Sequence, residues 1–188
     1  MSGDSPEAVV PAPWQVVSSE KIIADRWIDL RADACVDAHG RTIAPYYVLN
    51  QADWVTVLAL DEAGDAIVVE EYHHGAGIVA RGLVGGGIDP GEEPSHAAVR
   101  ELREETGYEA AELIDLGSTW ANWGNQNNRS HHFLALGCVR AGVQSLDDGE
   151  IITVRTEPLD ELGTLLDQSY HLLTWLKAMH WLSAHRDR

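Results

Sequence analysis

Positive charge is scarce in this sequence. Thirteen Lys and Arg residues stand against thirty Asp and Glu, for a net charge of −17 with histidines neutral. Such a surface repels nucleic acid and anionic membranes, so neither is expected as a partner. Cysteine is scarce too: Cys35 and Cys138 lie far apart, without ligand-like spacing. A disulfide framework is therefore not expected, and both read as buried reduced thiols. No apolar run approaches membrane-spanning length. The first residues lack the basic-then-apolar order of a secretory leader, so the expected location is cytoplasmic. No internal repeat is visible. What remains is a chain of 188 residues, 45% hydrophobic, which suits one globular domain with a sizeable core.

The stretch Gly85–Tyr108, GGGIDPGEEPSHAAVRELREETGY, organises the rest. It reads as a glycine-rich loop feeding one helix. Pro90-Gly91 is turn chemistry, Pro94 suits a first helical turn, and Gly107 is a natural stop. Ala97, Ala98 and Leu102 offer a small apolar stripe to the core. The opposite face carries Glu101, Glu104 and Glu105 at i, i+3 and i+4, with Glu92 in the loop before it. Like charges at that spacing repel. A solvated face with Arg100 paired to Glu104 is the bland explanation. The loop favours another: Mg²⁺ takes a few carboxylates plus substrate phosphates. Glycines let a carbonyl and a phosphate approach with no Cβ in the way.

Gly86, then Glu92, then Arg100-Glu101-Leu102-Arg103-Glu104-Glu105-Thr106-Gly107-Tyr108 resembles the Nudix box without gap or substitution. The resemblance implies an α+β Nudix fold, an α/β/α sandwich with a mixed β-sheet between helices. It also implies hydrolysis of a nucleoside diphosphate linked to another moiety. Arg100, Glu101, Glu104, Glu105 and Glu150 are the implied catalytic group. Glu101 and Glu105 would ligate Mg²⁺, or Mn²⁺, with Glu104 assisting and Gly85 and Glu150 as further ligands. Tyr72, His73, Gly86, Gly87, Trp120, Trp123 and Arg129 are the expected substrate contacts.

In chain order, residues 1–13 read as a flexible tail. WQVVSSEKIIA, WIDLRADACVDA and TIAPYYVLN follow as three β-like runs over 14–50, with a hairpin turn at His39-Gly40. A sheet of that size is marginal alone. The resemblance to ADP-ribose pyrophosphatase-like Nudix proteins implies that it joins two chains into a homodimer; packing on its own domain is the alternative. Residues 51–188 would then form the hydrolase domain. It opens on the hairpin WVTVLALD–EAGD–AIVVEEY. His73-His74 point to opposite faces of a strand and do not suit a shared metal. Trp14, Trp27 and Trp54 are expected in the core.

After the box, AAELIDLGSTW and SHHFLALGCV read as strands around an amide-rich loop at Asn122–Asn128. Trp120 and Trp123 bracket that loop and could stack on a base or sugar. His131 and His132 alternate faces. Glu150, with Asp148 as runner-up, precedes the strand IITVRT at the place where relatives keep an acidic residue, and Pro158 opens a helical segment. Leu172, Leu173, Trp175, Leu176, Met179 and Leu182 form the expected buried stripe of a closing helix.

ADP-ribose or another nucleotide sugar is the expected substrate, because the whole layout resembles that branch. Relatives have Glu-Leu-Pro at Gly82-Leu83-Val84, Gln-Tyr-Arg at Glu71-Tyr72-His73, and a proline loop at Trp120–Gln126. Selectivity can drift through these departures. The other readings are action on a dinucleotide or nucleoside triphosphate, a non-catalytic nucleotide sensor, and an isoprenoid diphosphate isomerase. The sensor reading lacks a basic helix, and the isomerase needs a site cysteine that Cys35 and Cys138 do not supply.

Overall fold

The computed structural model describes residues 11–146 and 149–185. Most of the expected tail, and both Asp147 and Asp148, lie outside the described residues.

The chain divides into two compact units. One holds the chain through Gln51 together with Asn122–Asn127. Its strands β1 (Gln15–Ala24), β2 (Asp29–Val36) and β3 (Thr42–Asn50) form an antiparallel sheet in that order. The β2–β3 turn is the expected one: Gly40 takes φ 76°, and Asp37 accepts from the N–H groups of His39 and Arg41 at 2.9 Å. The amide-rich loop belongs to this unit, where the N–H of Leu49 donates to the carbonyl of Asn125 at 2.8 Å. Every residue of β1 is exposed.

The second unit holds a mixed sheet with helices on both faces. Its strands are β4 (Trp54–Asp61), β5 (Ala66–His73), β6 (Ile78–Gly82), β7 (Val84–Gly87), β8 (Tyr108–Glu109), β9 (Glu112–Trp120), β10 (Arg129–Arg140) and β11 (Thr153–Glu157). Its helices are α1 (Pro94–Thr106), α2 (Leu159–Leu165) and α3 (Ser169–Ala184). The order β11-β5-β4-β10 sets the parallel pair β4–β10 at the centre, and β9 lies beyond β10. β6 pairs with β5, while β7 pairs with β4. The chain thus changes partner strand between Gly82 and Val84, opening a split in the sheet. Alternation on β4 sends Val55, Val57 and Ala59 to the α1 side, with Ala97, Ala98, Leu102 and Phe133. It sends Leu58 and Leu60 to the other, under Leu162 and Ala178.

Three expectations are corrected. The glycine run is not a loop: Val84–Gly87 is a paired strand whose glycines leave no side-chain alternation to read. Trp14, Trp27 and Trp54 are exposed rather than core, at 46%, 77% and 37%. Trp14 packs edge-on to Tyr46, and Arg26 covers Trp27, so their contacts are surface ones. On α3 the buried positions are His171, Thr174 and Ala178. Leu172, Trp175 and Leu182 flank them, while Leu176 is exposed. Hydrogen-bonded polar groups take the helix face that hydrophobicity assigned to leucine.

Candidate active site

Helix α1 begins on Pro94 and ends where Gly107, at φ 74°, returns its N–H to the carbonyl of Arg103 at 2.8 Å. Ala97, Ala98 and Leu102 fix it to the sheet, as their spacing predicts. That anchoring forces the glutamates into distinct environments. Glu104 stays half exposed, Glu101 is largely covered, and Glu105 is buried.

Glu105 is the most perturbed of them. Its Oε2 accepts from the N–H of Gly85 at 3.2 Å. Burial pushes its carboxyl up to about 9; the neighbouring charges of Glu101, Glu71 and Glu150 push the same way. Burial also raises Glu101, which Arg100 pulls back. Gly86 makes room for Glu101: a Cβ there would fall on the Glu101 carboxylate.

Arg100 is the hub. It donates from Nε to Glu92 Oε1 and from Nη2 to Glu92 Oε2, both at 2.9 Å. Its Nη1 reaches Glu101 at 2.7 Å and Glu104 at 3.1 Å, and Nη2 also meets the carbonyl of Gly87 at 2.9 Å. The guanidinium holds the Glu92 carboxyl down at about 2. The bland Arg100–Glu104 pair therefore exists, as one branch of a larger network.

Glu150 is brought to this cluster by its loop. The Gln144 side chain donates to the carbonyls of Glu105 (2.7 Å) and Ile152 (3.2 Å), tying the loop to the end of α1. Glu71 joins from β5; the sequence reading passed over it. The visible signal was an acid where relatives carry glutamine. Its strand neighbour Tyr72 is exposed and contacts His74 instead. His73 shares the face of Glu71, 3.8 Å from its carboxylate.

Of the aromatic candidates, Trp120 stands at the end of β9 with the guanidinium of Arg129 4.9 Å above its ring. Ser118 accepts from Arg129 Nε at 2.8 Å and steadies that pair. Trp123 belongs to the other compact unit and is 84% exposed. His132 points away from α1, to Thr119 and Thr174 on the α3 side, and His131 pairs with Asp53 at 3.1 Å.

A hard divalent cation fits this donor set. It would meet oxygen ligands, two of whose carboxyls burial drives toward the neutral form. Among the described residues, no three His, Cys, Asp or Glu side chains are gathered closely enough to enclose an ion unaided. Mg²⁺ does not need that, since it keeps waters and substrate phosphates in its shell.

Comparison with known proteins agrees with this geometry. Residues 14–49 match the nucleoside diphosphate sugar hydrolase N-terminal domain. An ADP-ribose pyrophosphatase from Bacillus subtilis is 27% identical over 154 residues, 81% of this chain and 83% of that protein. A methanol dehydrogenase activator from Bacillus methanolicus is 26% identical, covering 78% of this chain and 80% of its own. An RNA pyrophosphohydrolase from Brucella anthropi is 55% identical, but over only 20% of this chain and 22% of its own. The solved structure of an ADP compounds hydrolase superposes with a TM-score of 0.84 at 18% identity, covering 94% of this chain and 98% of that one. With the NUDIX domain model matching residues 51–176, the box helix and split sheet mark this chain as a member of the Nudix hydrolase family.

Proposed function

We propose that the protein hydrolyses the diphosphate bond of a nucleoside diphosphate joined to another moiety, ADP-ribose or another nucleotide sugar, with Mg²⁺ or Mn²⁺ as cofactor. The observation that carries this reading is the burial of Glu105 beside Glu101 and the bare backbone of Gly86. Water adds to one phosphorus, the bridging P–O bond breaks, and two phosphomonoesters leave. Glu101 and Glu105, helped by Glu104, Glu150 and the carbonyl of Gly85, would hold the cation. When bound, the ion supplies charge neutralisation at the phosphoryl oxygens and acidifies water.

The chain's own groups do the rest. Arg100 fixes Glu101 and Glu104 in place through charge-assisted bonds. Gly86 and Gly87 let the diphosphate lie against the backbone. Glu105 keeps a proton in the absence of a cation, so loading the site releases it. Trp120 under Arg129 offers a stacking surface for a base. Tyr72, exposed beside His73, is a further substrate contact in this proposal.

Several further points belong to the same reading. The exposed β1 edge supports a homodimer formed through residues 14–50. The hydrolase domain over 51–188 completes the domain organisation we propose. A net charge of −17 opposes nucleic acid as a partner. No helix among the described residues is long and apolar enough to cross a membrane, and we place the enzyme in the cytoplasm.

The test is a panel of ADP-ribose, other nucleotide sugars, dinucleoside polyphosphates, NADH and nucleoside triphosphates, each with Mg²⁺ and with Mn²⁺. ADP-ribose should give AMP and ribose 5-phosphate, and EDTA should stop the reaction. Faster cleavage of triphosphates than of every nucleotide sugar would refute the substrate assignment.

A further inference from the structure

Trp54 stands beside the glycine strand, and the proposed chemistry leaves it unused. Alternation along β4 turns it to the face opposite Val55. In the register of β4 with β7 it lies across from Gly87, and Thr56 lies across from Gly85. An aromatic side chain can reach the diagonal partner as well as the direct one. Here it does: a Cβ at Gly85 would lie 3.1 Å from Trp54 Nε1. The pyrrole nitrogen, rather than the six-membered ring, is the part of the indole nearest to Gly85.

The same glycines carry the acidic cluster. Glu101 occupies the Cβ space of Gly86 on the α1 face, and the N–H of Gly85 donates to Glu105 Oε2 at 3.2 Å. The carbonyl of Gly87 accepts from Arg100 Nη2 at 2.9 Å. Gly85 is thus the shared neighbour of Glu105 and of Trp54 Nε1. Among the described residues β7 pairs with β4 alone, so its other edge carries no strand. A diphosphate laid along that edge has carboxylates toward one face and the indole toward the other.

Such a ligand needs donors as well as a cation, and the guanidinium beside it is committed. Arg100 is shared among Glu92, Glu101, Glu104 and Gly87. His73, where relatives carry arginine, sits 3.8 Å from Glu71. A free cationic side chain among these carboxylates would pair with them and compete with the metal. An indole N–H donates without carrying a charge, so it leaves the carboxylates to the cation. Among the described residues Trp54 Nε1 has no acceptor, and the residue is 37% exposed. Its donor is therefore available to a ligand.

We infer that Trp54 is a diphosphate-binding residue, its Nε1–H donating to a phosphate oxygen of the substrate. The inference rests on the diphosphatase reading and adds to it a donor that the reading did not include. It also gives two tryptophans different work. Trp120 offers a ring face, under Arg129 on the β9–β10 side, whereas Trp54 offers an N–H beside Gly85.

Trp54→Phe keeps a ring and removes the N–H, and Trp54→Leu removes both. Each should raise KM about tenfold or more for the diphosphate the chain cleaves best, the scale of one hydrogen bond to a charged group. kcat should change less than about threefold, as for a contact made equally in the ground and transition states. A ring that only packs predicts harm from Trp54→Leu alone, so a Trp54→Phe variant with the parent's KM overturns the inference. A second measurement needs no turnover. The indole N–H resonance of Trp54, assigned by its loss in Trp54→Phe, should move downfield when methylenediphosphonate is added with Ca²⁺. Adenosine is the control. A shift with methylenediphosphonate upholds the contact whatever adenosine does; a shift with adenosine alone, or with neither, overturns it. A chain that cleaves no diphosphate refutes the diphosphatase reading by itself, and the methylenediphosphonate shift still decides Trp54.

Discussion

The carboxylate of Glu101 occupies the space that a side chain at Gly86 would need. Strand and helix are both anchored elsewhere, Gly86 by its pairing with Val55 and α1 by Ala97, Ala98 and Leu102. Relief of a clash there falls on Glu101. Gly86→Ala should therefore turn that carboxylate out of place with little change in the fold. We expect kcat to fall about 100-fold, the usual cost of a misplacement near 1 Å, while far-ultraviolet circular dichroism stays unchanged. An active Gly86→Ala enzyme would show that Glu101 need not lie where it does.

Glu105 is expected to serve turnover at the expense of the metal-free fold. Its folded carboxyl lies near 9, above the ordinary carboxylate value of about 4.5. The folded state thus holds a proton that the unfolded chain gives up, and metal-free stability declines as pH rises from roughly 4.5 to 9. Glu105→Gln removes that penalty. At pH 8 in EDTA the variant should melt about 4 °C or more above the parent, yet lose on the order of 10³-fold or more in kcat with Mg²⁺. A lower melting temperature in EDTA would contradict the assigned cost of burying this charge.

Two buried histidines set an acid limit of a different kind. Burial lowers both His132 and His171 to about 4, well under the ordinary 6.5. Their stabilising contribution is complete above about 6.5 and is lost as pH falls from there through 4. Urea midpoints should drop between pH 7 and pH 5. His132→Gln keeps a hydrogen-bonding side chain between Thr119 and Thr174 without a titrating ring. It should flatten that drop by roughly a third to a half. Unaltered pH dependence in the variant would assign the acid limit to other groups.

The box helix was readable because its information is local: charges at helical spacing between a proline and a glycine. The split between β6 and β7 was not, since Gly85, Gly86 and Gly87 carry no side chains from which a two-residue period could be read. Glu71 illustrates a second limit. Nothing near it in the chain places it beside Glu105; only the pairing of β5 with β4 and β6 does so. His171 and Thr174 illustrate a third, because polar groups satisfied by Leu83 and His132 occupy a face that hydrophobicity reserved for leucine. The three exposed tryptophans erred in the opposite sense, as large apolar side chains that the described residues leave uncovered.

β1 supplies the last prediction. It pairs on one side only, with β2, and leaves Val16, Val17, Ile22 and Ile23 at 55%, 63%, 44% and 46% exposure. Four β-branched residues on an open edge strand invite pairing with another chain unless something covers them. A second copy of the same sheet meets that need with matching chemistry, and a two-fold arrangement would bury the patch on both chains at once. Light scattering should therefore report a dimer at micromolar concentration. Val17→Asp with Ile23→Asp should shift it to monomer by placing unpaired charges in the contact, at a cost of several kcal/mol on dimerisation. The monomer should keep the circular dichroism of the second unit, whose core shares none of these residues. A full-length chain that runs as a clean monomer, or a double variant that stays dimeric, would move the interface away from β1.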